Sequence, residues 1–167
     1  MKKALMIFIL TLSLLTTAGA AFSEDMAKGG TFTGKYYSSV TLKVLDMSEG
    51  RFQMNFSSTG TLVSDTKEGF LHLAAVYTLG TGYAADGVVV VTGSMVFTAT
   101  DGDKVYATVK GSGALRGQSN GVVTFTGGTG RYTGIQGEGE YTRFPLPPAT
   151  VGVWTSMDIV KTNYKLP

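Results

Sequence analysis

His72 is the only histidine in the chain, and there is no cysteine. It lies in a run, Phe70 to Leu79, whose alternation reads as a strand, with Phe70, His72, Ala74 and Val76 on one face. If that face is internal, the imidazole can shuttle a proton near neutral pH, since its unperturbed pKa is about 6.5. The competing reading is a hydrogen-bonded or outward histidine with no chemistry. Glu138 and Glu140 share a strand face, with side chains about 7 Å apart. Paired carboxylates can divide acid and base roles when their environments differ. Gly137, Gly139 and Tyr141 look like the packed side of that strand, so the two glutamates are expected on the solvated side. Asp101 and Asp103 flank Gly102 and are explained by turn chemistry, and they offer too few oxygens for a calcium loop. One histidine and scattered carboxylates make no transition-metal set, so no metal and no cofactor are expected.

Gly127 to Tyr141, GGTGRYTGIQGEGEY, could be mistaken for a phosphate loop. A dinucleotide fingerprint needs three glycines spaced G-x-G-x-x-G, leading from a strand into a helix. Here Thr133 stands in the third slot, the following segment is strand-like, and the Lys-Ser/Thr pair of a nucleotide-binding loop is absent. The stretch reads as a glycine turn between two strands. Four apolar residues have a different potential. Phe52, Met54 and Phe56 share one face of a cleanly alternating segment, and Trp154 is the only tryptophan. They are most simply core. In a barrel wide enough to hold a ligand, the same side chains would form an apolar pocket wall.

The elements that must position these residues are strands. Glycine supplies 23 of 167 residues, about twice its usual ~7 %, and Thr, Val, Tyr and Phe are abundant between the glycines. The reading gives strands at Tyr36–Asp46, Arg51–Ser58 with a continuation past Gly60 to Ser64, and Phe70–Leu79. Val88–Thr100 and Asp103–Lys110 follow, then Val122–Thr126, Glu138–Phe144 and Thr150–Val160. Gly80–Gly87 and Gly111–Gly121 read as loops, and Pro145, Pro147 and Pro148 as a strand break. Asp101-Gly102 is the preferred pair for a two-residue hairpin turn. That register pairs Phe97 with Tyr106 and Met95 with Thr108, leaving both hairpin faces partly apolar. One face would line a barrel; the other would meet a second subunit or the N-terminal leader. The expected fold is all-β, a single antiparallel up-and-down barrel of about eight strands, because closure removes exposed edges. A two-sheet sandwich is the alternative.

Residues 1–20 have the pattern of a cleaved signal peptide. Lys2 and Lys3 precede the apolar run Ala4–Leu15, and Ala18-Gly19-Ala20 is a small-x-small cleavage site. A membrane span would need about 20 apolar residues. Export to the periplasm or medium of a bacterium is expected, with residues 21–35 as a mobile leader and 36–167 as the barrel domain. The chain carries 14 basic and 12 acidic residues. Without Lys2 and Lys3 the two signs balance, which leaves no basic patch for nucleic acid or an anionic membrane. A small apolar molecule is the partner such a barrel would take.

FTGGTGRYTGIQGEGEYTR resembles the glycine-rich segment shared by allene oxide cyclases, dirigent proteins and their bacterial barrel relatives. The matching residues are Thr126, Gly127, Gly128, Thr129, Gly130, Arg131, Tyr132, Gly134, Ile135 and Gly137. The hairpin Phe97–Gly113 is similar to an acidic hairpin of exported bacterial members, one turn residue shorter. The resemblance implies an eight-stranded barrel with an internal cavity, in a group found as dimers or trimers. It implies no particular catalytic residue. The leading functional reading is an exported barrel of non-catalytic or unassigned function, whose interior could take a small apolar ligand. The rival is a cofactor-independent isomerase or cyclase, or dirigent-type templating of an apolar substrate, helped by one or two polar side chains such as His72. A third class is a structural oligomer whose barrel is packed solid.

Overall fold

Alternation of inward and outward side chains runs through almost every segment of the computed structural model, which describes residues 27–167. The proposed signal peptide, and the leader as far as residue 26, lie outside the described residues. Eight strands follow one another: β1 Gly29–Asp46, β2 Phe52–Ser64, β3 Ala74–Ala85, β4 Val88–Thr98, β5 Lys104–Ala114, β6 Ser119–Gly128, β7 Gln136–Thr150 and β8 Val153–Lys165. Each pairs antiparallel with the next, and β8 returns to pair with β1, which closes the barrel. The expected all-β, up-and-down barrel is what forms. β1 begins at Gly29 and pairs from there with Lys165, so residues 29–35, expected in the leader, are barrel wall.

Strands are longer than expected because several glycines lie inside them. Gly80, Gly93, Gly111 and Gly121 occupy inward positions, and two pairs face each other directly across the ladder, Gly80 with Gly93 and Gly111 with Gly121. The reason is lumen space. A methyl group at Gly80 would overlap the Phe56 ring, and one at Gly121 would overlap the Tyr141 ring. Glycine here makes room for the inward ring of its direct cross-strand partner, Phe56 beside Gly80 and Tyr141 beside Gly121, rather than turning the chain. β7 likewise runs through its prolines, with a register irregularity between Leu146 and Thr150. Proline donates no ladder bond, and strand ends and bulges tolerate it.

The Asp101-Gly102 hairpin differs from the expected register by one residue. Phe97 faces Val105 and Met95 faces Ala107. Ala99 and Asp103 close a three-residue loop with Gly102 at φ 92°, a turn followed by a left-handed glycine. A one-residue slip exchanges faces. Met95, Phe97, Val105, Ala107 and Val109 therefore all point inward and are buried. The outer faces of β3 and β4 remain apolar. Tyr77, Leu79, Tyr83, Val88 and Val90 are exposed there, and Asp86 is the only charged residue from Leu73 to Thr100.

One end of the barrel is plugged. The β2–β3 connection folds inward and buries Phe70 and Leu71. Phe70 stacks on Tyr164 at 3.9 Å and meets Phe32, Phe125 and Tyr132 edge-on at 5.8 to 6.0 Å. Leu71 and Leu73 adopt left-handed φ values of 52° and 58°, each costing about 1–2 kcal/mol. Burying two large apolar side chains returns about 1.5–3 kcal/mol apiece, so the strained turn is sustained by the plug it delivers. The glycine-rich stretch seals the same end. Gly130–Tyr132 forms one 3₁₀ turn, with Tyr132 and Ile135 buried under it. Asp103 accepts the Arg131 backbone N–H, and Asp101 pairs with the Arg131 guanidinium at 3.0 Å. GGTG is thus a clasp between two hairpins, as its expected role as a turn implies.

Candidate functional site

The opposite end is open. Inward residues of β1, β2, β4, β7 and β8 surround a cavity of about 470 Å³ whose wall includes Val40, Leu42, Phe52, Met54, Phe56 and Trp154. All four apolar candidates from the sequence therefore stand in one wall. Their common placement follows from register, since Leu42 faces Phe56 across β1–β2 and Val40 faces Trp154 across β1–β8. His72 is elsewhere. The strand expected over Phe70–Leu79 starts only at Ala74, and His72 sits in the turn at the plugged end. Its Nδ1 accepts the Ser64 backbone N–H at 3.3 Å. It is away from the cavity because Leu71 and Leu73 turn left-handed on either side of it, which interrupts the alternation. Glu138 and Glu140 lie on the exposed outer face, as expected.

The floor of the cavity is polar, and it was not singled out in the sequence. Arg143 on β7 and Asp158 on β8 are direct cross-strand partners, and Asp158 in turn faces Tyr36 on β1. Arg143 Nε donates to Asp158 Oδ1 at 2.9 Å and Nη2 to Oδ2 at 2.7 Å, a two-pronged ion pair with Asp158 buried. Nη1 points away from the carboxylate in such a side-on fork. One step nearer the mouth, Ser38 and Ser156 hydroxyls hydrogen-bond at 2.9 Å, and Ser156 also donates to Asp158 Oδ1 at 3.3 Å. Deeper, the Tyr36 hydroxyl meets Ser58 at 2.9 Å. A smaller cavity of about 30 Å³ lies there, between Arg143, Tyr36 and Thr78. Thr78 Oγ1 is buried without a hydrogen-bond partner among the described residues.

Parity was the available signal. Arg143 shares its strand face with Tyr141, the side that the glycines mark as packed, and Asp158 shares its face with Trp154. Charged residues on an apolar parity are rare unless paired. Burial alone would lower the Arg143 guanidinium pKa, but the Asp158 carboxylate against it holds the group above the ordinary arginine value. The pair is a neutral unit that still has N–H donors to offer. It can bind and polarise a ligand oxygen through the donors that Asp158 leaves free.

Burial also pushes the phenols of Tyr36, Tyr132, Tyr141 and Tyr164 above their usual range. Unfolded, these groups ionise near pH 10. Below that pH their contribution to stability is fully present. As pH rises toward the higher folded values, the unfolded chain has lost protons that the barrel retains, and stability falls. The urea midpoint is expected to be flat from pH 7 to 9 and to drop above about 10. Tyr36→Phe should shallow that drop; an unchanged slope would show that Tyr36 ionises freely in the barrel.

No family model matches the chain, and no curated protein sequence matches it. Solved structures do. The pterocarpan synthase dirigent protein GePTS1 superposes with a TM-score of 0.55 at 11 % identity, over 84 % of this chain and 93 % of its own. The pterocarpan synthase dirigent protein PsPTS1 gives a TM-score of 0.50 at 10 % identity, over 86 % and 99 %. The fold is that of the dirigent-protein barrel. At such identity the likeness describes the fold, and the dirigent-like barrel here carries its own lumen chemistry: an apolar mouth above the Arg143–Asp158 floor.

Proposed function

We propose that this dirigent-like barrel, exported by its signal peptide, binds a small, mostly apolar molecule through its open end. The carrying observation is the pairing of a roughly 470 Å³ apolar cavity with a neutral hydrogen-bonding floor. A cavity of that size and lining is of the kind that binds small molecules. The floor narrows the ligand. A free carboxylate would find Arg143 already neutralised by Asp158, whereas a carbonyl, ether or phenol oxygen can accept from Nη1 without displacing the pair. Ser156 adds a hydroxyl one step nearer the mouth. The favoured ligand is an apolar body with a neutral oxygen at its leading end.

N-phenyl-1-naphthylamine, a neutral apolar fluorophore, probes the cavity directly. Saturable binding at one site per chain is expected. Val91 lines both the mouth and the inner cavity, so Val91→Trp should weaken binding about tenfold or more, equivalent to at least ~1.4 kcal/mol, with an unchanged far-UV spectrum. Dye binding indifferent to Val91→Trp would place the site outside the barrel.

A second reading is cofactor-independent templating of a reactive apolar substrate, as an isomerase, a cyclase or a dirigent-type protein. The Arg143–Asp158 floor supports it, since a fixed donor beneath an apolar wall can orient one face of a substrate, and the solved neighbours are named for pterocarpan synthesis. Chiral chromatography of a ring closure run with and without the protein decides it. Racemic product in both reactions removes the reading.

A further inference from the structure

The turns at the open end carry apolar side chains outward, around the hole rather than into it. Leu45 and Met47 stand at the β1–β2 turn, Val88 follows the β3–β4 turn, and Leu146 and Val151 stand at the β7–β8 turn, while half-exposed Trp154 stands on the inner lip of the mouth. All are exposed, and Val151 is fully so at 100 %. Between them lie polar turn residues, Ser48-Glu49-Gly50, Asp86-Gly87 and Arg116-Gly117-Gln118. The result is a ring of single apolar tips that runs into the cavity wall at Val44, Trp154 and Gly152.

We infer that the barrel docks end-on, mouth down, onto an electrically neutral lipid surface. Shape favours lipid over a protein partner. A stable protein interface needs a continuous patch of about 800 Å² on each side, and this ring is interrupted by polar turns and has a hole at its centre. A fluid interface accommodates separate tips, and a half-exposed tryptophan is suited to the headgroup boundary. Charge defines the kind of lipid. Three basic residues, Lys43, Arg51 and Arg116, balance three acidic ones, Asp46, Glu49 and Asp86, on this end. An anionic surface gains nothing there. The outer wall rules out spanning by these strands: Lys35, Lys110, Glu138, Glu140 and Lys161 point outward from it, where a transmembrane barrel needs an apolar band.

The inference does not require the cavity to be filled, so its test separates from that of ligand binding. The chain from residue 21 onward contains all eight strands of the described residues and is used with phosphatidylcholine vesicles. Trp154, the sole tryptophan, reports from the mouth. Cosedimentation is expected, together with a blue-shifted Trp154 emission that brominated phosphatidylcholine quenches. Met47→Asp with Val151→Asp should weaken vesicle partitioning at least about tenfold while N-phenyl-1-naphthylamine still binds. Leu73→Asp, exposed at the plugged end, should change nothing. The proposal is overturned if Trp154 emission is indifferent to the vesicles, or if binding appears only with anionic lipid. It is overturned equally if the rim variants partition like the parent, or if the blue shift appears with protein concentration alone, which would mean mouth-to-mouth self-association.

Discussion

Asp158→Ala is expected to destabilise the barrel by about 3 kcal/mol, the lower end of the range for breaking a buried ion pair. The substitution removes the carboxylate and leaves the Arg143 guanidinium without its two charge-assisted hydrogen bonds of 2.9 and 2.7 Å. The loss is not larger because the Arg143 side chain retains 27 % exposure toward the mouth, where water can partly replace Asp158. Ser156, which donates to the same carboxylate, keeps its partner Ser38. Urea denaturation measures the effect. The double replacement Arg143→Met with Asp158→Leu should recover most of it, because well-packed apolar residues can match or exceed a buried pair in stability. A single-variant loss below about 1 kcal/mol would show the pair behaving as a surface bridge, and the polar floor would then be solvent-exposed in practice. The double variant also isolates function: it should fold, keep the apolar wall, and lose preference for ligands with a leading oxygen.

Phe70→Ala carries the second large effect. Its ring is in stacked or edge contact with four aromatic side chains contributed by β1, β6, the 3₁₀ turn and β8. Truncation leaves a void that the surrounding strands cannot collapse into, because their registers are fixed by the closed ladder. A cost of about 3–5 kcal/mol is expected, or on the order of 10 °C in Tm. It removes the burial that sustains the left-handed Leu71 and Leu73. Since the plug and the mouth are at opposite ends, N-phenyl-1-naphthylamine affinity should be unchanged in the folded variant. A loss of dye binding without loss of stability would mean that the lumen is one continuous site and not a cavity above a plug.

Fold class was legible because period-two alternation and β-branched composition hold along the chain. Strand ends were not, and glycine is the reason. At Gly80, Gly111 and Gly121 the residue type signals a turn, yet its use is to vacate lumen space for the rings of Phe56 and Tyr141, which lie 20 or more residues away in sequence on nearby strands. Only the contact between strands explains it. The hairpin slipped by one residue because Asp-Gly suits both a two-residue turn and the three-residue turn that forms, and the buried parity of Val105 decides between them. In the site, Phe52, Met54, Phe56 and Trp154 were visible as apolar residues on strand faces. Arg143 and Asp158 were not, because each alone looks like a surface charge. They become a unit only when β7 is set beside β8. His72 attracted notice by being unique, and uniqueness carries no information about position.

The pairing of β1 with β8 joins the two ends of the described chain. Every other ladder can form between neighbours as local hairpins, but this one must wait until the rest has been ordered. Closing a loop of that length costs more entropy than forming a hairpin, and non-local pairing slows folding. Until β8 arrives, β1 and β7 each present an unpaired edge that another chain can take. The interval before that seam closes, more than the strength of any single contact, sets how prone this chain is to aggregate.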